Sequence, residues 1–179
     1  MTGGMSQLYV IGYPELADRD HDWIQGLRQR HDPQADLVAP HFTLVFGLTD
    51  VPADTLEAHV RTVADATPPI AFVLRHTVID AVGESVYLYL VPQEGGGALV
   101  RLHGGLYTGP LLSAITLGVP FVPHITIGRF TDDGAAKAVF DEVREAAVDI
   151  AGRLSALTIV RHDGDALRPL ATIALNGAT

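Results

Sequence analysis

The sequence predicts an α+β protein built as a duplication. Two β-α-β-α-β lobes are related by a pseudo-twofold axis, with mainly antiparallel sheets facing a central cleft and helices outside. Two observations carry that prediction. A short β-rich motif of the form Pro-His-apolar-Thr-apolar occurs twice, as Pro40-His41-Phe42-Thr43-Leu44 and as Pro123-His124-Ile125-Thr126-Ile127. The segments around the two motifs also follow the same order. Tyr9 and Pro14 recur 78 residues on as Tyr87 and Pro92, His41 recurs 83 residues on as His124, and Arg75-His76 finds a match 86 residues on in Arg161-His162. Offsets that grow so slowly read as small loop insertions between two copies of one unit. At 179 residues the chain is most simply a single domain, with lobes of about residues 1–80 and 81–179 and room for strands exchanged between them.

Each element follows from its local pattern. Residues 8–13 form a β-rich run closed by Pro14, and residues 15–30 read as a helix, acidic early and basic late, as the helix dipole favours. A loop over residues 31–40 leads to the first motif strand. Residues 52–66 place Leu56, Val60 and Val63 at helical spacing, and Pro68-Pro69 stops that helix. Residues 70–79 and 85–91 are β-like, the latter closed by Pro92. Residues 95–107 make a glycine-weakened helix carrying Leu99, Leu102 and Leu106; Gly95-Gly96-Gly97 reads as a flexible turn, since it lacks the Lys and Ser/Thr of a phosphate loop. After the second motif strand come a strong helix over 133–150, a strand over 154–161, and a last strand over 167–175 in which Pro169 marks an edge or a strand start.

Composition narrows the function classes. Twelve basic residues stand against 21 acidic ones, a net charge of −9, so the basic footprint of a general duplex or RNA binder is missing. A small phosphorylated molecule, or the end of an RNA, needs only a few local donors. The chain has no cysteine, which rules out a disulfide framework, a thiol nucleophile and a thiolate metal site. Met1-Thr2-Gly3-Gly4-Met5-Ser6 shows no basic and then apolar leader pattern, and no apolar run is long enough to span a membrane, so a cytoplasmic monomer is the expectation. No serine sits in a nucleophile-elbow context and no carboxylate neighbours either motif at ligand spacing, so neither a serine hydrolase nor a bound metal or other cofactor is expected.

The motifs themselves point to chemistry on phosphorus. Along a strand, side chains alternate between faces. His41 and Thr43 therefore share one face, and so do His124 and Thr126, with apolar residues on the other. Two such strands around one cleft offer two imidazoles and two hydroxyls to a small anion. Strand parity places Arg129 with Ile125 and Ile127, away from the cleft, unless a bulge intervenes. Tyr9 and Tyr87 fall on the less apolar parity of their strands, where tyrosines stack nucleobases; they are candidate substrate contacts. His76 and His162 read as rim residues, and His103 as a residue that can border the cleft.

The paired motifs, set in a repeated frame that covers essentially the whole chain, resemble those of the two-histidine (2H) phosphoesterase superfamily, in its 2′-5′ RNA ligase-like and cyclic phosphodiesterase branch. That resemblance implies a bilobal fold and metal-independent cleavage of 2′,3′-cyclic or 2′-5′ phosphodiesters of nucleotides or RNA ends. It assigns the catalytic role to His41 and His124 and phosphate binding to Thr43 and Thr126. The alternatives are an RNA end-processing, 2′-5′ ligase-like enzyme and a non-catalytic nucleotide-binding module of the same fold. The sequence does not say which histidine is acid and which is base.

Overall fold

The computed structural model describes residues 6–116, 118–164 and 166–178. The first five residues, where the sequence shows no leader pattern, lie outside the described residues. In chain order the elements are β1 (Gln7–Gly12), β2 (Glu15–Leu16), α1 (Asp18–His31), β3 (Phe42–Leu48), α2 (Ala53–Asp65), β4 (Ile70–Val82), β5 (Ser85–Glu94), α3 (Gly96–Leu106), β6 (Ile125–Phe130), α4 (Asp133–Glu145), β7 (Ile150–Leu154), β8 (Ala156–Asp163) and β9 (Ala166–Ala174). A 3₁₀ turn, Gly109–Ala114, lies between α3 and β6.

The strands form two antiparallel sheets, ordered β3-β1-β8-β9 and β2-β7-β4-β5-β6. β8, from the second half of the sequence, pairs with β1 of the first, while β4 of the first half pairs with β5 of the second. α2 packs on β8 and β9, and α4 on β4, β5 and β6. The two remaining helices cross between halves: α1 lies against β6 and α3 against β3. One continuous apolar core joins the sheets, and the Phe42 and Phe72 rings meet edge-to-face in it at 5.1 Å.

Both motif strands carry a bulge at the same place. Val10 faces Val45 and Ile11 faces Thr43, which leaves Leu44 as the extra residue of β3. Leu88 faces Gly128 and Tyr89 faces Thr126, which leaves Ile127 extra in β6. A bulge puts two residues opposite one and resets the alternation of faces. Leu44 and Val45 are consecutively buried, as are Ile127 and Gly128, and the next residues, Phe46 and Arg129, turn outward. The parity expectation for Arg129 is thereby corrected. It pairs with Tyr87 and shares that residue's face, the face that also carries Tyr89 and Thr126.

Other expectations change for local reasons. The helix predicted over 133–150 ends at Glu145, where Ala146 and Ala147 close a turn onto the Glu142 and Arg144 carbonyls. Residues 150–154 then form β7 because Ile150 and Leu154 gain more by burial beside β4 than by extending an exposed helix. Arg75-His76 and Arg161-His162 are not counterparts. His162 faces Gln7, and the residue facing the matching Ser85 is Val82, so the Arg-His likeness is out of step with the strand register. Gly95 is a fixed cap rather than a loose turn. Its φ of 78° suits glycine, and a Cβ there would press on the Ala71 carbonyl oxygen and the Phe72 Cα.

Candidate active site

His41 and His124 each sit one residue before their strand, at the start of β3 and of β6. Each is held the same way. The Nδ1 of His41 lies 2.8 Å from the Ala39 carbonyl oxygen, and the Nδ1 of His124 lies 2.7 Å from that of Val122. A carbonyl oxygen only accepts, so both Nδ1–H groups donate and both Nε2 atoms keep the lone pair that can take up a proton. The half-buried hydroxyl residues Thr43 and Thr126 follow two residues later on the same side as their histidines. Burial pushes both imidazoles below their ordinary pKa, and the backbone carbonyls pull back in the other direction. The charge of His124 is felt at His41 and lowers it further.

The surroundings of the two histidines differ. Near His41 lies Arg28, a buried arginine on α1. Its guanidinium donates to Asp32 at 3.0 Å, to the Val38 carbonyl at 2.7 Å and to Gln25 at 3.2 Å. Asp32 also accepts from the Gln34 N–H at 3.0 Å, and Gln25 donates to the Ala35 carbonyl at 3.1 Å. This network ties down the loop that delivers His41 to β3. Arg28 lowers the His41 pKa more than Asp32 raises it. Beside His41 opens a cavity of about 130 Å³, floored by Ile11, Val38 and Val160 and edged by Tyr9 and His162. The Tyr9 hydroxyl donates to Gln7 at 2.8 Å, and its ring meets His162 edge-on at 6.3 Å.

His124 stands in an aromatic column. Its ring stacks on Tyr89 at 3.8 Å, Tyr89 stacks on Tyr87 at 6.0 Å, and the Arg129 guanidinium lies 5.8 Å from the Tyr87 ring centre. Arg129 also donates to the Ser85 hydroxyl at 3.1 Å. The neighbouring charge is a carboxylate: Asp80 raises the His124 pKa. Burial, then Asp80 and Tyr87, push the Tyr89 hydroxyl up to about 12, so it stays a proton donor. Next to His124 is a larger cavity of about 510 Å³.

The edge of β3 borders that cavity and is closed by α3. His103 Nδ1 donates to the Leu44 carbonyl at 2.9 Å, and the Phe46 N–H donates to the Tyr107 hydroxyl at 3.1 Å. Those are the backbone groups that an edge strand leaves without a neighbouring strand. His103 does border the cleft, stacked on Phe121 at 3.8 Å and 5°. His162 lines the smaller cavity while His76 lies exposed in β4. Sequence reasoning missed Arg28, Asp32, Tyr89 and Asp80. Tyr89 had a signal, since it follows Tyr87 by two residues in one strand. Arg28 had none, because a basic residue in the last turn of a helix reads as a dipole contact.

Among the described residues no three of His, Asp and Glu gather closely enough to hold a metal ion, and no helix is long and apolar enough to cross a membrane. Residues 14–166 match the model of the 2′-5′ RNA ligase superfamily, a span that includes both His-x-Thr motifs. The chain belongs to that superfamily. A Bacillus cereus (strain G9842) relative, provisionally named a phosphoesterase, is 30% identical over 142 residues, 77% of this chain and 78% of its own. One from Bacillus pumilus with the same provisional name is 28% identical over 131 residues, 72% of this chain and 74% of its own. Among solved structures, E. coli LigT complexed with 3′-AMP aligns with a TM-score of 0.60 at 21% identity, covering 96% of this chain and 99% of that one. Usb1 of Kluyveromyces marxianus aligns with a TM-score of 0.54 at 11% identity, covering 94% and 98%. At these identities the likeness to solved structures is one of fold, and the fold is LigT-like.

Proposed function

We propose that this 2′-5′ RNA ligase superfamily member is a metal-independent phosphodiesterase that hydrolyses 2′,3′-cyclic or 2′-5′ phosphodiesters of nucleotides or RNA ends. The observation that carries the reading is the matched pair of imidazoles. Each is pinned through Nδ1 to the carbonyl two residues back, and each is followed by a threonine on its own face.

In this scheme one imidazole takes the proton of a water as its oxygen attacks phosphorus. The other gives a proton to the departing ribose oxygen as its P–O bond breaks. A nucleoside monophosphate, or an RNA end bearing one, is released. Each positioned acid or base contributes about 10²–10⁴ in rate. Thr43 and Thr126 donate to the non-bridging oxygens, whose charge grows in the transition state. The neighbouring charges favour one division of labour. Arg28 biases His41 toward the neutral form, which suits a base, and Asp80 biases His124 toward the charged form, which suits an acid. That E. coli LigT was solved with 3′-AMP, NADP+ and ATP supports a nucleotide as the substrate class. The acidic net charge of −9 favours small or terminal diesters over long RNA.

The test is incubation with the four nucleoside 2′,3′-cyclic monophosphates in EDTA, with products identified by chromatography. Hydrolysis that persists in the chelator and disappears in His41→Ala and in His124→Ala is the expected result. Turnover that needs an added divalent ion, or that survives both substitutions, overturns the reading.

A further inference from the structure

The two imidazoles need a fixed spacing, and the segments that deliver them are held by different means. Three residues before His41 stands Val38, whose carbonyl accepts from the buried Arg28 at 2.7 Å. Three residues before His124 stands Phe121. Between these points and the histidines the two segments match. The next residue, Ala39 or Val122, offers the carbonyl that holds Nδ1, and a proline follows, Pro40 or Pro123. Proline fixes its own φ and pushes the residue before it to extended backbone, so this short stretch is stiff. Whatever holds the third residue back therefore also aims the imidazole.

The segment before His124 has little else to hold it. Gly118, Val119, Pro120 and Val122 are exposed, and among the described residues no backbone hydrogen bond ties residues 118–121 to another element. Phe121 packs back on the core. Its ring lies flat on His103 of α3, with centres 3.8 Å apart and planes at 5°. His103 is itself fixed from two sides. Its Nδ1–H donates to the Leu44 carbonyl at 2.9 Å. Tyr107 lies against its ring at 4.7 Å and accepts from the Phe46 N–H at 3.1 Å. Leu44 is the residue after Thr43 in β3. One side chain thus links the first motif strand to the segment that carries the second histidine.

We infer that His103 is the positioning residue of His124. Stacked on Phe121 and bonded to Leu44, it does for the second motif what Arg28 does for the first, and it fixes the separation of the two imidazoles. The inference rests on the two-histidine reading for its kinetic consequence, since a catalytic group displaced by about 1 Å loses on the order of 10² in rate. Its structural consequence needs no activity. His124 keeps its Nδ1–H form only while the Val122 carbonyl stays in place to accept from it.

The experiment compares three variants. His103→Phe keeps a flat ring on Phe121 and gives up the bond to Leu44. His103→Asn keeps a donor for Leu44 and gives up the ring. Phe121→Leu leaves an aliphatic contact with the core and no ring face. The first measurement is the ring-nitrogen NMR spectrum of each protein in alkaline solution, where both catalytic imidazoles are neutral, with His124 assigned from its loss in His124→Ala. The second is kcat and KM for the base-free glycerol 1,2-cyclic phosphate, so that no contact of a base enters the comparison. In His103→Asn and Phe121→Leu, His124 should leave the Nδ1–H form for the tautomer mixture of a free imidazole while His41 stays as it is. Their kcat should fall about 10- to 10²-fold with KM little changed. His103→Phe should recover most of both. A His124 tautomer that stays fixed in His103→Asn and Phe121→Leu overturns the inference, whatever their melting temperatures, and so does a His103→Phe variant that behaves like His103→Asn. If wild type turns over no cyclic diester and the tautomer still follows the ring on Phe121, the phosphodiesterase reading falls and the positioning role stands.

Discussion

Around His41 the cleft floor is aliphatic, made by Ile11, Val38 and Val160, with a buried arginine behind it. Around His124 the floor is aromatic, with Tyr89 stacked on the imidazole and a carboxylate beside it. The backbone beneath is the same in both halves: a carbonyl holding Nδ1, a histidine, a threonine two residues on, and a bulge immediately after. Ile11 and Tyr89 stand at matching places, one facing Thr43 and the other Thr126. Duplication thus preserved the geometry that aims the imidazoles, while the side chains around them diverged. Diverged surroundings are what two chemically identical groups need in order to work as an acid and a base, because neighbouring charge moves a pKa without moving the atoms.

The strongest way to break that contrast is to remove the histidines. His41→Ala and His124→Ala should each lower kcat by ~10²–10⁴, and the double variant should lose far less than the product, because the pair acts as a unit. The two variants should differ in pH profile. His41→Ala should erase the acid limb, which reports the neutral base, and His124→Ala the alkaline limb, which reports the charged acid. Swapped limbs would reverse the assignment, and near-full turnover in either variant would end it.

Arg28→Ala tests the buried side of the His41 half. It strands Asp32 in the core without its cation, and loss of one partner of a buried pair costs about 3–5 kcal/mol. The urea midpoint should fall accordingly. Among the described residues none matched to Arg28 plays this part near His124, so Asp80→Asn, at an exposed position, should leave the midpoint nearly unchanged while lowering the His124 pKa. Equal effects on stability would show that the two halves are not held differently.

The threonines come next. Thr43→Ala and Thr126→Ala should each cost on the order of 10–10³ in kcat, as lost charge-stabilising donors do, with Tm almost unmoved. A cost seen only in KM would make them ground-state contacts.

The pH dependence of folding is a subtler test. Both histidines have folded pKa values below the ordinary ~6.5, chiefly through burial. Between the folded value and ~6.5 the unfolded chain holds more protons than the folded one, so stability is present above that range and is lost as pH falls through it. Tm should therefore drop on acidification from about pH 7, and each His→Ala variant should flatten that drop. An unaltered slope in both variants would mean that burial does not set these pKa values.

The smallest expected effects concern the aromatic column. Tyr89→Ala exposes His124, so its pKa should rise and the alkaline limb of kcat/KM should move upward, with activity changing on the order of 2- to 10-fold. Ile11→Ala, at the matching place, should leave that limb where it is. Tyr87→Ala and Tyr9→Ala should act mainly on KM; an unchanged KM in both would remove them as substrate contacts.

The sequence alone was enough to give the α+β duplication and the two His-x-Thr motifs, because hydrophobic alternation and repeat spacing are local properties of the chain. It also put Leu99, Leu102 and Leu106 on one helix, and the structure adds that all three are buried on α3. It could not give the bulges at Leu44 and Ile127, since an extra residue is defined by the partner strand opposite it. For that reason Arg129 emerged on an unexpected face. The Arg-His match misled for the same cause: residue types recur by chance, whereas pairing opposite β1 and β5 fixes true counterparts. β7 was hidden because its stability comes from burial beside β4, a strand some 80 residues earlier in the chain. Arg28, Asp32, Asp80 and Tyr89 matter through what surrounds them. Burial and neighbouring charge set their influence on the two histidines, and those quantities exist only once the chain has folded.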